Sequence, residues 1–129
     1  MQQPIKRLPE LPIERTFKVI GGRWKAFILL ALYRGPQRFA DLTRILPNVS
    51  QKMLVQQLRE LEEHGVVQRH VSARPALRVE YHATDLGLSL APLIDSLCAW
   101  GRRHALERGA RYRQDCMRAD VTAATTERA

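Results

Sequence analysis

Residues 39–64 hold two short segments of helical apolar spacing with Pro47 between them. Phe39, Leu42 and Leu46 share one face of the first, and Leu54, Leu58 and Leu61 share one face of the second. Pro47 has no N–H for the preceding turn and disfavours helix at Leu46, so the first segment has to stop there. Asn48 suits a tight turn, Ser50 is a good N-cap for a helix over residues 51–64, and Gly65 supplies its stop. The expectation is two helices joined by a tight turn, a helix-turn-helix. Many all-α domains contain that pattern, so what surrounds it decides its meaning.

Downstream the period changes from helical to alternating. Val67, Arg69 and Val71 alternate with Gln68 and His70, and Val79, Tyr81 and Ala83 alternate with Arg78, Glu80 and His82. These are two strands, joined by a tip over residues 72–77 that contains Pro75. A hairpin directly after a helix-turn-helix is the plan of a winged helix. Upstream, Ile13, Phe17 and Ile20 have helical spacing, Gly21-Gly22 breaks that helix, and residues 24–33 are apolar almost all round, as in a central buried helix. Thr84 caps a further helix, with Asp85 in its first turn and Leu86, Leu90, Leu93, Leu97, Trp100 and His104 in one stripe; Pro92 should bend or interrupt it. The fold class expected is mainly α with a small β-hairpin (α+β). A proline-rich arm over 1–12 precedes a domain over 13–105, and 106–129 form a helical extension and flexible tail.

The charge distribution narrows the partner. The chain has 129 residues and a formal net charge of +8. Nine basic residues and one acid, Asp41, lie within residues 15–59, which therefore carry the whole excess. A concentrated basic stretch suits phosphate contact better than a uniformly solvated surface does. No apolar run approaches the ~18–20 residues that cross a bilayer, the start of the chain has no signal-peptide core, and two cysteines are too few for a disulfide scaffold. A cytoplasmic protein is the expectation.

The helix over 51–64 can be resolved by angle. With Leu54 at zero and about 100° per residue, Leu58 and Leu61 fall near Leu54, whereas Lys52, Arg59 and Gln56 fall at about 160°, 140° and 200°. Those three side chains should point away from the core together, with Gln51 and Val55 beside them. Gln can pair with adenine, and Lys with guanine or phosphate. Lys52 in the first turn opposes the helix dipole, an arrangement that a bound phosphate would compensate.

With these elements in order, the chain resembles the HxlR family of bacterial winged-helix transcription regulators, relatives of the MarR group. The resemblance rests on GGRW, RFADL, SQKML, LRELEEHG and VEYHATDLG, and covers roughly residues 12–105. It implies a homodimer formed by the first helix and the long terminal helix. One recognition helix per protomer would enter a major groove, with a wing near the adjacent minor groove. Ser50, Gln51, Lys52 and Gln56 inherit base or phosphate contact by position, and Arg74 and Arg78 inherit the wing role. Arg59, Arg38 and Arg44 complete the candidate DNA-binding set. Such regulators, commonly repressors, often respond to small electrophiles, oxidants or metabolites. Leu11 stands where many members carry a cysteine, so thiol sensing there is not expected. Cys98 and Cys116 are the remaining redox candidates, and Trp100 is a candidate wall of an effector pocket.

The four histidines have no metal-ligand spacing, no nucleophile elbow occurs, and no cofactor or enzymatic activity is expected. The rival function is a winged-helix protein-interaction module that does not read DNA. The basic block argues against it. RNA is disfavoured because no exposed aromatic stacking set is evident.

Overall fold

Six helices and one antiparallel hairpin form among the residues described by the computed structural model, 11–73 and 76–109. In chain order these are α1 (Pro12–Ile20), α2 (Lys25–Leu32), α3 (Phe39–Ile45), α4 (Gln51–Glu63), β1 (Val67–Ser72), β2 (Arg78–Ala83), α5 (Asp85–Leu88) and α6 (Ala91–Glu107).

α2 sits at the centre, with Ile28, Leu29 and Ala31 fully buried. Leu42 and Ile45 of α3 join Leu54, Leu58 and Leu61 of α4 in the same core, closed by Val66, Val67, Tyr81 and Ile94. The turn between α3 and α4 depends on Asn48, which takes φ of 60°, a left-handed conformation that asparagine tolerates better than most residues. Ser50 then caps α4: its Oγ accepts the Met53 N–H at 3.0 Å. Asp41 performs two tasks for α3. One carboxylate oxygen accepts the Arg38 N–H at 2.9 Å, and the other accepts from Arg44 Nη2 at 2.8 Å.

The wing pairs Val67 with Ala83 through Ser72 with Arg78 in an unbroken antiparallel register. A third segment joins it, because Gln37 and Tyr81 exchange backbone hydrogen bonds of 3.1 and 2.8 Å. The Gln37 side chain is buried and donates to the Ala31 carbonyl, which ties this bridge to the end of α2.

The helix expected after Thr84 is two helices. Thr84 Oγ1 accepts the Gly87 N–H at 3.0 Å and starts α5, which lasts one turn. α6 then begins at Ala91 with Pro92 in its first turn, where a missing N–H costs nothing. Proline interrupts rather than bends, so Leu86 does not share a continuous helix with Leu93, Leu97 and Trp100. Gly87 is required where α5 meets the core: a Cβ there would collide with the Val66 carbonyl oxygen. The Tyr33 hydroxyl donates to the Gly87 carbonyl at 2.7 Å, and burial pushes its pKa up to about 12, with Asp95 adding to the rise.

Candidate nucleic-acid interface

α4 is polar on the side its core leucines leave free. Leu54, Leu58 and Leu61 are buried, while Gln51, Lys52, Gln56 and Arg59 are exposed together with Ser50 at the cap. Arg38, at the N-cap of α3, and Arg44, in its last turn, are also exposed. The Arg44 charge is already partnered by Asp41. Arg78 is exposed at the start of β2, on the hairpin. Arg74 and Cys116 lie outside the described residues.

The basic stretch divides in two once it is folded. Lys25 belongs to it by sequence but is only 8% exposed, with its ammonium on Glu60 Oε1 at 2.5 Å. Glu60 Oε2 in turn accepts from Gln56 Nε2 at 3.1 Å. The Lys25 hydrogen bond, and then the Gln56 one, hold the Glu60 carboxyl below the usual carboxylate range, so it stays ionised at neutral pH. Lys25 therefore offers nothing to a polyanion outside; it fastens the start of α2 to α4. Spacing could have indicated the Gln56–Glu60 pair, since i and i+4 are neighbours on a helix. Nothing local indicates that Lys25, between Trp24 and an apolar helix, turns toward Glu60.

A second surface is apolar. On α1, Ile13 and Phe17 are exposed, Phe17 by 58%. On α6, Leu93, Leu97 and Trp100 are exposed, Trp100 by 64%, with its ring stacked on His104 at 5.1 Å between centroids. Ile94 alone is buried on α6 among the described residues. Cys98, half-buried against the core, is disulfide-bonded. A cavity of about 560 Å³ opens between α1, the C-terminal end of α4 and α5, lined among others by Arg15, Val19, His64 and Leu86. Trp100 does not line it.

Among the described residues, no helix is long and apolar enough to cross a membrane, and no cluster of three or more His, Cys, Asp or Glu side chains is placed to hold a metal ion.

Comparison with known proteins agrees with this geometry. Residues 19–108 match the family model described as HxlR-like helix-turn-helix. The HTH-type transcriptional regulator YtcD of Bacillus subtilis (strain 168) is 46% identical over 99 residues, which span 77% of this chain and 79% of YtcD. The crystal structure of YtcD superposes with a TM-score of 0.67 over 74% of this chain and 97% of that one. The redox regulator HypR in its reduced form is 40% identical, with a TM-score of 0.70 over 76% of this chain and 99% of HypR. The reduced form of the transcriptional regulator YodB from B. subtilis is 34% identical, with a TM-score of 0.65 over 71% of this chain and 91% of YodB. The chain accordingly belongs to the HxlR-like helix-turn-helix family of DNA-binding transcriptional regulators.

Proposed function

We propose that two copies of the chain bind a pseudo-palindromic operator in the cytoplasm, each laying α4 in a major groove. The observation that carries this is the exposed set Lys52, Gln56 and Arg59 on the side of α4 away from Leu54, Leu58 and Leu61. Base edges would be read from Ser50, Gln51, Lys52 and Gln56, and phosphates held by Arg59, Arg38 and Arg44, with Arg78 and Arg74 on the wing. Affinity then comes chiefly from phosphate contacts and discrimination from the start of α4. The exposed apolar residues of α1 and α6 supply the surface for the second copy. Two recognition helices on one face of the duplex set half-sites about 34–36 Å apart. The double variant Lys52→Ala with Gln56→Ala is expected to lose operator preference in a gel-shift titration while remaining a folded dimer. Undiminished sequence discrimination would refute the reading.

The same reading includes an oxidative signal. HypR is a redox regulator by name, and YodB has been solved both reduced and after diamide treatment. Cys98 and Cys116 are this chain's two cysteines, and they carry the response here. Operator binding should differ between reduced and diamide-treated protein, and Cys98→Ser should remove the difference. A small-molecule effector has the cavity between α1, α4 and α5 available, its volume being within the ordinary range of ligand pockets. Trp100 could border an effector only with the partner copy in place.

A further inference from the structure

We infer that Lys25 and Glu60 fix the orientation of the Gln56 carboxamide, so that α4 presents a hydrogen-bond acceptor there and selects an amino base, adenine or cytosine, over a keto base. This rests on the proposal that α4 lies in the major groove, and it assigns Lys25 and Glu60 as positioning residues that touch no base.

The polarity of the chain of contacts is forced by chemistry. A lysine ammonium only donates, and an ionised carboxylate only accepts. Lys25 occupies one oxygen of Glu60, and Gln56 reaches the other. Gln56 can meet that oxygen only with its amide nitrogen, which commits one of its two N–H donors and leaves the carbonyl oxygen and a single N–H for the free edge. Lys25 is nearly buried at the start of α2, which gives the carboxylate a rigid anchor instead of a mobile surface partner. The low pKa of Glu60 keeps the arrangement intact at neutral pH.

An unrestrained glutamine turns its amide either way and accommodates donors and acceptors alike. The restrained one meets the bases unequally. Adenine N6 and cytosine N4 are amine donors that pair with the fixed carbonyl oxygen, whereas guanine O6 and N7 and thymine O4 are acceptors that it repels and that can use only the one N–H Glu60 leaves over. Discrimination at this position therefore follows from a contact made two residues removed from the DNA.

The test starts from duplexes selected by the full chain out of a random pool. The base pair whose preference Gln56→Ala abolishes marks the position, and affinities for all four bases there are then compared. The wild type should favour adenine and cytosine over guanine and thymine by about fivefold, the worth of one net hydrogen bond. Glu60→Gln is isosteric but can donate as well as accept, so the carboxamide is released and the ratio should fall below about twofold. Lys25→Met, which keeps length and burial, should move it in the same direction. Thermal melts establish folding, and if Lys25→Met fails to fold, Glu60→Gln decides alone. A preference that separates purine from pyrimidine or A·T from G·C pairs, instead of amine from keto on one strand, or a ratio unchanged in Glu60→Gln, overturns the inference while leaving α4 in the groove. Absence of any position sensitive to Gln56→Ala overturns the groove placement of Gln56 and the inference with it.

Discussion

α4 and α6 are both amphipathic by sequence, yet they orient their apolar residues in opposite senses. α4 buries Leu54, Leu58 and Leu61 and exposes glutamine, lysine and arginine. α6 buries Ile94 and exposes Leu93, Leu97, Trp100 and Leu106. A helix whose leucine stripe is consumed by its own core leaves a mostly polar surface, here with Met53 and Val55 at its flanks, and the proposed partner for that surface is a polyanion. A helix whose apolar stripe stays outside is incomplete in the monomer, and such a patch marks a protein contact. Periodicity alone treats the two helices alike; only burial separates them.

The largest expected difference between the two helices is in the cost of truncating a leucine in each. Leu58→Ala, at 1% exposure, should cost about 2–5 kcal/mol of unfolding free energy. Leu97→Ala, at 46% exposure, should cost little at protein concentrations where the chain is monomeric, because its methyls already meet water. Urea unfolding followed by circular dichroism measures both, and equal losses would erase the contrast between the helices.

Next in size is an effect on assembly. Leu97→Glu combined with Trp100→Glu should leave the monomer's melting temperature near wild type but raise the dimer dissociation constant by at least about thirtyfold, as loss of a central aromatic contact does. Sedimentation equilibrium gives the constant. An unchanged dimer would remove α6 from the interface and leave its exposed leucines without a partner.

How much of this was legible beforehand differs element by element. The α3–α4 turn was, because Pro47, Asn48 and Ser50 each act within a few residues of themselves. The two strands of the wing were, because alternation is local, whereas the register that pairs them comes from the fold. The outward placement of Lys52, Gln56 and Arg59 followed from angle alone, although their contacts with DNA are a proposal and not something geometry delivers. What stayed hidden depends on pairs distant in sequence. Lys25 looked like one more cation of a basic face, and only the folding back of the chain over a separation of 35 positions to Glu60 makes it an internal tether. Gln37 gave no sign of the bridge to Tyr81, since a single residue has no period. The need for glycine at position 87 arises only where α5 meets the Val66 carbonyl, a contact between elements that no local pattern marks.

Tyr33 provides a smaller effect that probes the anchor of α5, the short helix that leads into α6. Its folded pKa is raised to about 12 from the ordinary value near 10. The neutral phenol is therefore the form the fold favours. That contribution is complete below pH 10 and is lost as pH climbs from 10 through 12. Absorbance near 295 nm should show one tyrosine ionising late, and Tyr33→Phe should abolish that phase and flatten the alkaline loss of stability. A late phase that survives in Tyr33→Phe would move the raised pKa, and the α5 anchor with it, to another tyrosine.

The smallest effect on the fold is the most informative about function. Lys52 lies in the first turn of α4, exposed, where its charge opposes the helix dipole. Lys52→Ala should change stability by no more than about 0.5 kcal/mol, and the sign should favour the variant because an unfavourable charge is removed. If Lys52 meets a phosphate, the slope of log affinity against log salt should fall by about one. If it meets a base edge instead, the slope should stay near its original value and discrimination at one base pair should weaken. Measuring stability, salt slope and single-base discrimination on this one variant separates a residue kept for the protein from one kept for DNA. A loss of stability of more than about 1 kcal/mol would put Lys52 among the structural contacts of α4 and erase the difference between its two faces.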